Sequence, residues 1–256
     1  MPGMVEGKIA IVTGAGGGIG RATSLLLARE GAKVVVSDHD DKLGEETLAA
    51  VKAAGGDATY IHCDVTKAAE ISALIAGAEQ AFGGLSILVN NAGMEGPVTP
   101  IAEYDDDAFD RIMAVNLRGV FLGMKHGAAA IKRSGQGGAI VNLASVAGLI
   151  GAAGVAPYVM TKHGVVGLTK SGALEYAPDK IRVNAVCPGL IKTRMLDELF
   201  AGLGGDEAAE AMTGSVPMTR LGTPEEVAEL IVWLGSDRSS YSTGGTYTTD
   251  GGFTAQ

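Results

Sequence analysis

Tyr158 and Lys162 stand four residues apart in the run A-P-Y-V-M-T-K-H. On a helix, that spacing puts both side chains on one face and within reach of each other. A free tyrosine has a pKa of about 10 and is a poor base at neutral pH. A neighbouring ammonium favours the phenolate and draws that pKa down, which makes a group suited to general acid–base work. Ser145 follows the apolar run Gly138 to Ala144. A hydroxyl at the C-terminal end of a strand can point into the crevice where open α/β sheets bind ligands. Taken alone, Y-x-x-x-K fits an ordinary surface pair better than a catalytic one, so its meaning depends on the elements that hold it.

Those elements begin with K-I-A-I-V-T at Lys8 to Thr13, a short β-branched run bounded by Gly14 that reads as a buried parallel strand. The turn G-A-G-G-G-I-G follows, then an amphipathic helix to about Arg29, a C-cap glycine at Gly31, and a second strand from Lys33 to Ser37 with Asp38 at its end. Gly14 permits a tight turn, Gly18 lets backbone approach a pyrophosphate, and Gly20 lets the helix pack closely. The helix N-terminus offers free N–H groups and a positive dipole end to phosphates. Asp38 lies 18 positions after Gly20, where a carboxylate can accept hydrogen bonds from ribose hydroxyls. The unit reads as a dinucleotide-binding turn. An acidic Asp38 with no basic residue in the turn favours NAD over NADP, through both attraction to the ribose and repulsion of a 2′-phosphate.

The alternation continues. Helices are expected at about 40–54, from a Thr66 cap to Phe82, as one long helix over 105–133 that carries Asn116, from near Pro157 to Tyr176, and from the capping box at Thr223 to Leu234. Strands are expected at 58–63, 87–89, 138–144, 181–187 and 245–249. Seven strands alternating with helices predict a single-domain α/β Rossmann fold: a doubly wound, seven-stranded parallel sheet with helices on both faces and no linker. The stretch from Ile191 to Val216 breaks the rhythm, with Gly202, Gly204 and Gly205 between two short apolar helical pieces. It reads as a lid over an apolar substrate, the plainer alternative being a surface excursion.

Composition sets limits on function. At 256 residues, with 46% hydrophobic and 19% charged residues, the chain can bury a sizeable core. A net charge of −9 argues against nucleic acid or an anionic membrane as partner. No apolar run reaches the length of a membrane helix, which is about 18 residues or more, and Met1 to Lys8 lacks the apolar core of a signal peptide. Cys63 and Cys187 lie in strand-like runs and read as buried free thiols in a reducing cytoplasm. No Cys/His spacing suggests a metal site.

In order and at family spacings, T-G-A-G-G-G-I-G, Asp64-Val65, N-N-A-G, Asn116, Ser145, Tyr158-x-x-x-Lys162 and Pro188-Gly189 resemble the short-chain dehydrogenase/reductase family over nearly the whole chain. The resemblance implies an NAD-dependent oxidoreductase acting on CH–OH donors. It makes Tyr158 the acid/base and gives Lys162 two tasks, lowering the Tyr158 pKa and holding the nicotinamide ribose. Ser145 would bind the substrate oxygen, and Asn116 would anchor a water that joins Lys162 to solvent. It further implies that Gly14, Gly18, Ile19 and Gly20 wrap the pyrophosphate, that Asp64 and Val65 flank the adenine, and that Asn91 and Gly93 line the adenosine side. Pro188, Gly189, Ile191 and Thr193 would border the nicotinamide. It also implies a homotetramer. Plainer readings stand beside these: Asn91 as a strand-end turn former, Asn116 as a polar kink, Asp64 as a helix-start residue, and His163 as a packing residue.

The expected substrate lining is Met94, Val146, Leu149, Ala152, Val155, Leu190, Met195 and Leu199, with Glu95 facing either substrate or solvent. It is mostly apolar and has no Arg or Lys clamp, so an uncharged, mainly apolar or alicyclic secondary alcohol or ketone is expected. A 3-oxoacyl-thioester reductase is the alternative enzyme. A non-catalytic NAD-binding sensor or scaffold is the alternative of another kind, and an intact Ser145/Tyr158/Lys162 set weighs against it.

Overall fold

Parallel strands need crossovers, and crossovers lay helices on both faces of a sheet. The computed structural model, which describes residues 2–255, has this plan. Its strands β1 (Ile9–Thr13), β2 (Lys33–Asp38), β3 (Ala58–His62), β4 (Ile87–Asn90), β5 (Gly138–Leu143), β6 (Ile181–Pro188) and β7 (Thr246–Thr249) form one sheet in the order 3-2-1-4-5-6-7. Every pairing is parallel, with Ile11 beside Val35 on one side and Leu88 on the other. The strand order reverses between β1 and β4. In open α/β sheets that is where a crevice opens beyond the carboxyl ends of the strands.

Side chains alternate across the strands, so each strand feeds two cores. Ile11, Val35, Leu88, Ile140 and Val183 enter the core under α3 (Ala68–Phe82), α5 (Gly119–Ser134) and α6 (Ala156–Tyr176). Ala10, Val12, Val34, Val36, Val89 and Val141 enter the other, under α1 (Gly18–Arg29) and α9 (Pro224–Gly235). Burying one such aliphatic side chain contributes roughly 1.5–3 kcal/mol before entropy is counted, so the sheet is a stiff base for whatever its edge carries. The remaining helices are α2 (Asp41–Ala53), α4 (Asp106–Met113), α7 (Arg194–Leu203) and α8 (Asp206–Gly214).

Two local expectations need correction. The long helix expected over 105–133 is α4 and α5 joined by a π-helical segment, Ala114–Arg118, with Asn116 inside it. Thr66 does not cap α3. Lys67 holds that position, and the Thr66 hydroxyl donates to Asp64 at 2.7 Å. The Thr223–Glu226 capping box does start α9, and Asp105 caps α4. Among the described residues, no helix is long and apolar enough to cross a membrane.

Candidate active site

The glycine turn leaves β1 at the switch point. Gly14 has φ +62°, a left-handed conformation, and a Cβ there would lie 2.7 Å from Ala92 Cα. A Cβ on Gly20 would meet the Gly14 carbonyl oxygen at 2.2 Å, which shows how tightly α1 packs on the turn. Gly17 at the head of α1 has no side chain to cap it, so the first-turn N–H groups of Gly18, Ile19 and Gly20 have no capping partner. Unspent donors at the positive end of a helix suit a pyrophosphate. Asp38 is buried beside the turn, its carboxylate accepting from the N–H of Gly16 at 2.8 Å and of Asp40 at 3.0 Å. Gly16 was not among the glycines expected to matter. A Cβ there would come within 2.9 Å of the Asp38 carboxylate.

Asn91 at the end of β4 donates to the carbonyls of Thr13 and Gly14, both at 2.9 Å, and its own N–H donates to the Thr13 hydroxyl at 3.1 Å. It therefore staples the two strands on either side of the switch point. Asp64 accepts from the Thr66 N–H and hydroxyl, and half-buried Gly93 faces both Asn116 and Lys162. Pro188 ends β6. Gly189 packs against Asp250, Ile191 is buried, and Thr193 caps α7 by accepting from Leu196.

Ser145, Tyr158 and Lys162 come together at the end of β5. Ser145 is hydrogen-bonded to the Tyr158 phenol. The Lys162 ammonium lies 5.4 Å from the Tyr158 ring centroid and donates to the Leu143 carbonyl at 2.9 Å. Burial pushes the phenol upward, and the Ser145 hydrogen bond opposes the rise. Burial also lowers Lys162 to about 8. In this arrangement the Ser145 hydrogen bond favours phenolate.

Asn116 is fully buried, and its amide is engaged with one backbone residue. The oxygen accepts from the Met94 N–H at 2.8 Å and the nitrogen donates to the Met94 carbonyl at 2.7 Å. These two bonds fix the loop after β4. Thr161, which sequence reasoning passed over, backs this clamp: its hydroxyl donates to the Tyr158 carbonyl at 2.8 Å and lies 3.4 Å from the Asn116 nitrogen. A β-branched Thr inside a helix next to the dyad was the available signal.

Between that loop and α7 lies a cavity of about 380 Å³, within the usual size of a small-molecule site. Met94, Glu95, Met195 and Leu199 line it, together with Pro97, Arg194 and Glu198. Val146 and Val155 are buried outside its lining, half-buried Leu190 is not part of it, and Leu149 and Ala152 are exposed. A basic residue is thus present after all, but Arg194 is paired with Glu198 at 3.3 Å. Burial and the facing Glu198 push Glu95 up to about 7, with Lys162 working against the rise.

A parallel sheet with a glycine cradle at its switch point and a Ser–Tyr–Lys cluster at the neighbouring strand end defines a nucleotide-dependent oxidoreductase. Residues 14–254 match the family model described as enoyl-(acyl carrier protein) reductase. The chain is 43% identical over 249 residues to the cyclohexanol dehydrogenase of Acinetobacter sp. (strain SE19), covering 97% of this chain and 96% of that one. It is also 43% identical over 252 residues, 98% of each chain, to a 2,5-dichloro-2,5-cyclohexadiene-1,4-diol dehydrogenase of Sphingobium indicum. The crystal structure of levodione reductase superposes with a TM-score of 0.95 at 36% identity, covering 98% of each chain. The chain belongs to the short-chain dehydrogenase/reductase family.

Proposed function

We propose that this oxidoreductase interconverts an uncharged, mainly apolar or alicyclic secondary alcohol and its ketone, using NAD, with Tyr158 exchanging the proton. The observation that carries this reading is the Tyr158 phenol, hydrogen-bonded to Ser145 above a buried Lys162. The names of the cyclohexanol and cyclohexadiene-diol dehydrogenases support the substrate class. Gly14, Gly18, Ile19 and Gly20 would hold the pyrophosphate, Asp38 the adenine ribose, and Lys162 the nicotinamide ribose. Bound NAD would supply the hydride acceptor.

The chain's own residues do the rest. Tyr158 removes the carbinol proton, and Ser145 donates to the same oxygen as negative charge develops on it. In the reverse direction Tyr158 returns the proton. Lys162 keeps a positive charge beneath the site at neutral pH, and Asn116, through Met94, keeps the cavity wall in place. A thioester reductase would need to receive a long acyl carrier beside two carboxylates, Glu95 and Glu198, which the alcohol reading does not require. We further infer a cytoplasmic homotetramer. An apolar hollow of about 760 Å³ bordered by Met113, Leu117, Phe121 and Leu168 supports assembly.

The test is NADH formation from a panel of cyclic and open-chain secondary alcohols, with NADP in parallel and Tyr158→Phe as control. NAD should be preferred by at least about 100-fold in kcat/KM, because Asp38 attracts ribose hydroxyls and repels a phosphate. The Phe variant should lose about 100-fold to 10,000-fold in turnover while still binding NAD. Equal use of NADP would remove Asp38 from the ribose, and wild-type turnover by the variant would end Tyr158's role.

A further inference from the structure

Glu95 is out of place in a site for a purely apolar alcohol. It lines the cavity two residues beyond Gly93, where a Cβ would stand 3.7 Å from the Lys162 ammonium. Among the described residues its carboxylate makes no hydrogen bond and no ion pair, although it is largely withdrawn from water. A carboxylate in that position has lost solvent without gaining a partner. The other carboxylate of the cavity is in a different state. Glu198 is mostly exposed on α7 and is already held by Arg194.

We propose that Glu95 selects substrates carrying a second hydroxyl, which donates to its carboxylate while the reacting carbinol sits at Ser145 and Tyr158. The inference rests on the alcohol-oxidation reading and refines it from secondary alcohol to diol. An apolar ring fills the space beside Met94, Met195 and Leu199, and the second hydroxyl supplies the hydrogen bond that Glu95 lacks. A mono-alcohol fits the same space but leaves the carboxylate unpartnered, and sites built around a polar contact discriminate strongly against analogues that omit it.

Protonation supplies a signature that belongs to this contact. Glu95 sits near 7, so the carboxylate is the main form above that pH and the neutral acid below it. The charged and titrating groups facing it are Glu198 and Arg194 from α7 and Tyr158 and Lys162 from α6. Tyr158 and Lys162 act on every alcohol alike, so their titration cancels in a ratio of two substrates. Glu198 and Arg194 are paired with each other at 3.3 Å.

The experiment measures kcat/KM for cyclohexane-1,2-diol and cyclohexane-1,4-diol relative to cyclohexanol, with NAD, in wild type, Glu95→Met and Glu95→Gln. Wild type should favour at least one diol by about tenfold or more, the size of one hydrogen bond to a charged group. The preference should shrink between pH 8.5 and pH 6. Glu95→Met should abolish it, chiefly through KM, and Glu95→Gln, whose amide oxygen still accepts, should restore part of it and lose the pH dependence. Should the Met variant fold poorly, the Gln variant and the wild-type pH series decide the matter. A diol-to-cyclohexanol ratio that is the same in wild type and variants, or flat with pH, would overturn the role of Glu95 and leave alcohol oxidation standing. No NADH from any of the three alcohols would remove the alcohol reading itself, and this proposal with it.

Discussion

At the scale of single residues, chemistry and scaffolding are shared out differently from what the spacing of motifs suggests. The i, i+4 relation of Tyr158 and Lys162 was legible because helical geometry fixes it. The direction of their pKa values was not, because burial of both groups decides it, and burial depends on β5, β6 and α6 closing around them. Ser145 is the group that works against the rise of Tyr158. Removing it should therefore raise the phenol pKa further. Oxidation needs phenolate, so activity climbs as pH rises through that pKa, and Ser145→Ala should move the climbing limb of the pH–rate profile to higher pH as well as lowering kcat. A Ser145→Ala profile with its limb unmoved would show that the hydroxyl serves the substrate alone. Asn91 teaches the same lesson, since its amide is spent on the carbonyls of Thr13 and Gly14. Pairing partners that are distant in sequence cannot be read from a tetrapeptide.

At the scale of elements, period and caps carried most of the fold. Six of the seven strands fall where apolar or β-branched runs end in Gly, Asp or Asn, β5 running instead into Ala144 and Ser145, and the Thr223 box starts α9 as its residues demand. The π-helical segment escaped notice because a single π turn leaves the apolar spacing on either side almost unchanged. Its consequence is specific: it carries Asn116, whose amide grips Met94. The two helices after β6 differ in their attachment. Leu196 and Phe200 of α7 are buried, whereas α8 buries no residue, and Gly204 and Gly205 between them hold φ of +118° and +75°. We expect α7 and α8 to exchange amide hydrogens faster than the sheet in the free protein and to slow when NAD and an alcohol are bound, α8 showing the larger change. Equally slow exchange with and without ligands would mean that this segment is a fixed wall.

At the scale of the whole molecule, what remained hidden was what the surface is for. Composition gave a chain with core to spare, yet Phe121 stays 49% exposed on α5, beside Leu117 and Leu168. An apolar hollow of this kind on the outside of a packed protein marks an association surface. If the homotetramer forms through it, sedimentation should give four times the 25.9 kDa chain mass for wild type, and Phe121→Lys should yield smaller species with the same circular dichroism. A variant that sediments like wild type would place the interface elsewhere.

The pairing of β1 with β4 has a further consequence, in the order of events during folding. Ile11 lies beside Leu88, a contact across most of a hundred residues of intervening chain, whereas β1, β2 and β3 pair through short crossovers. Contacts so far apart in sequence form late, since a long loop must close before they gain anything. The glycine turn and Asp38 can thus be laid down while the wall bearing Asn91 and Glu95 is still unplaced. Before β4 docks there is half a cradle, which a dinucleotide cannot grip from both sides. A cofactor that grips both sides of the cradle therefore stabilises the finished sheet, in which β1 and β4 are already paired.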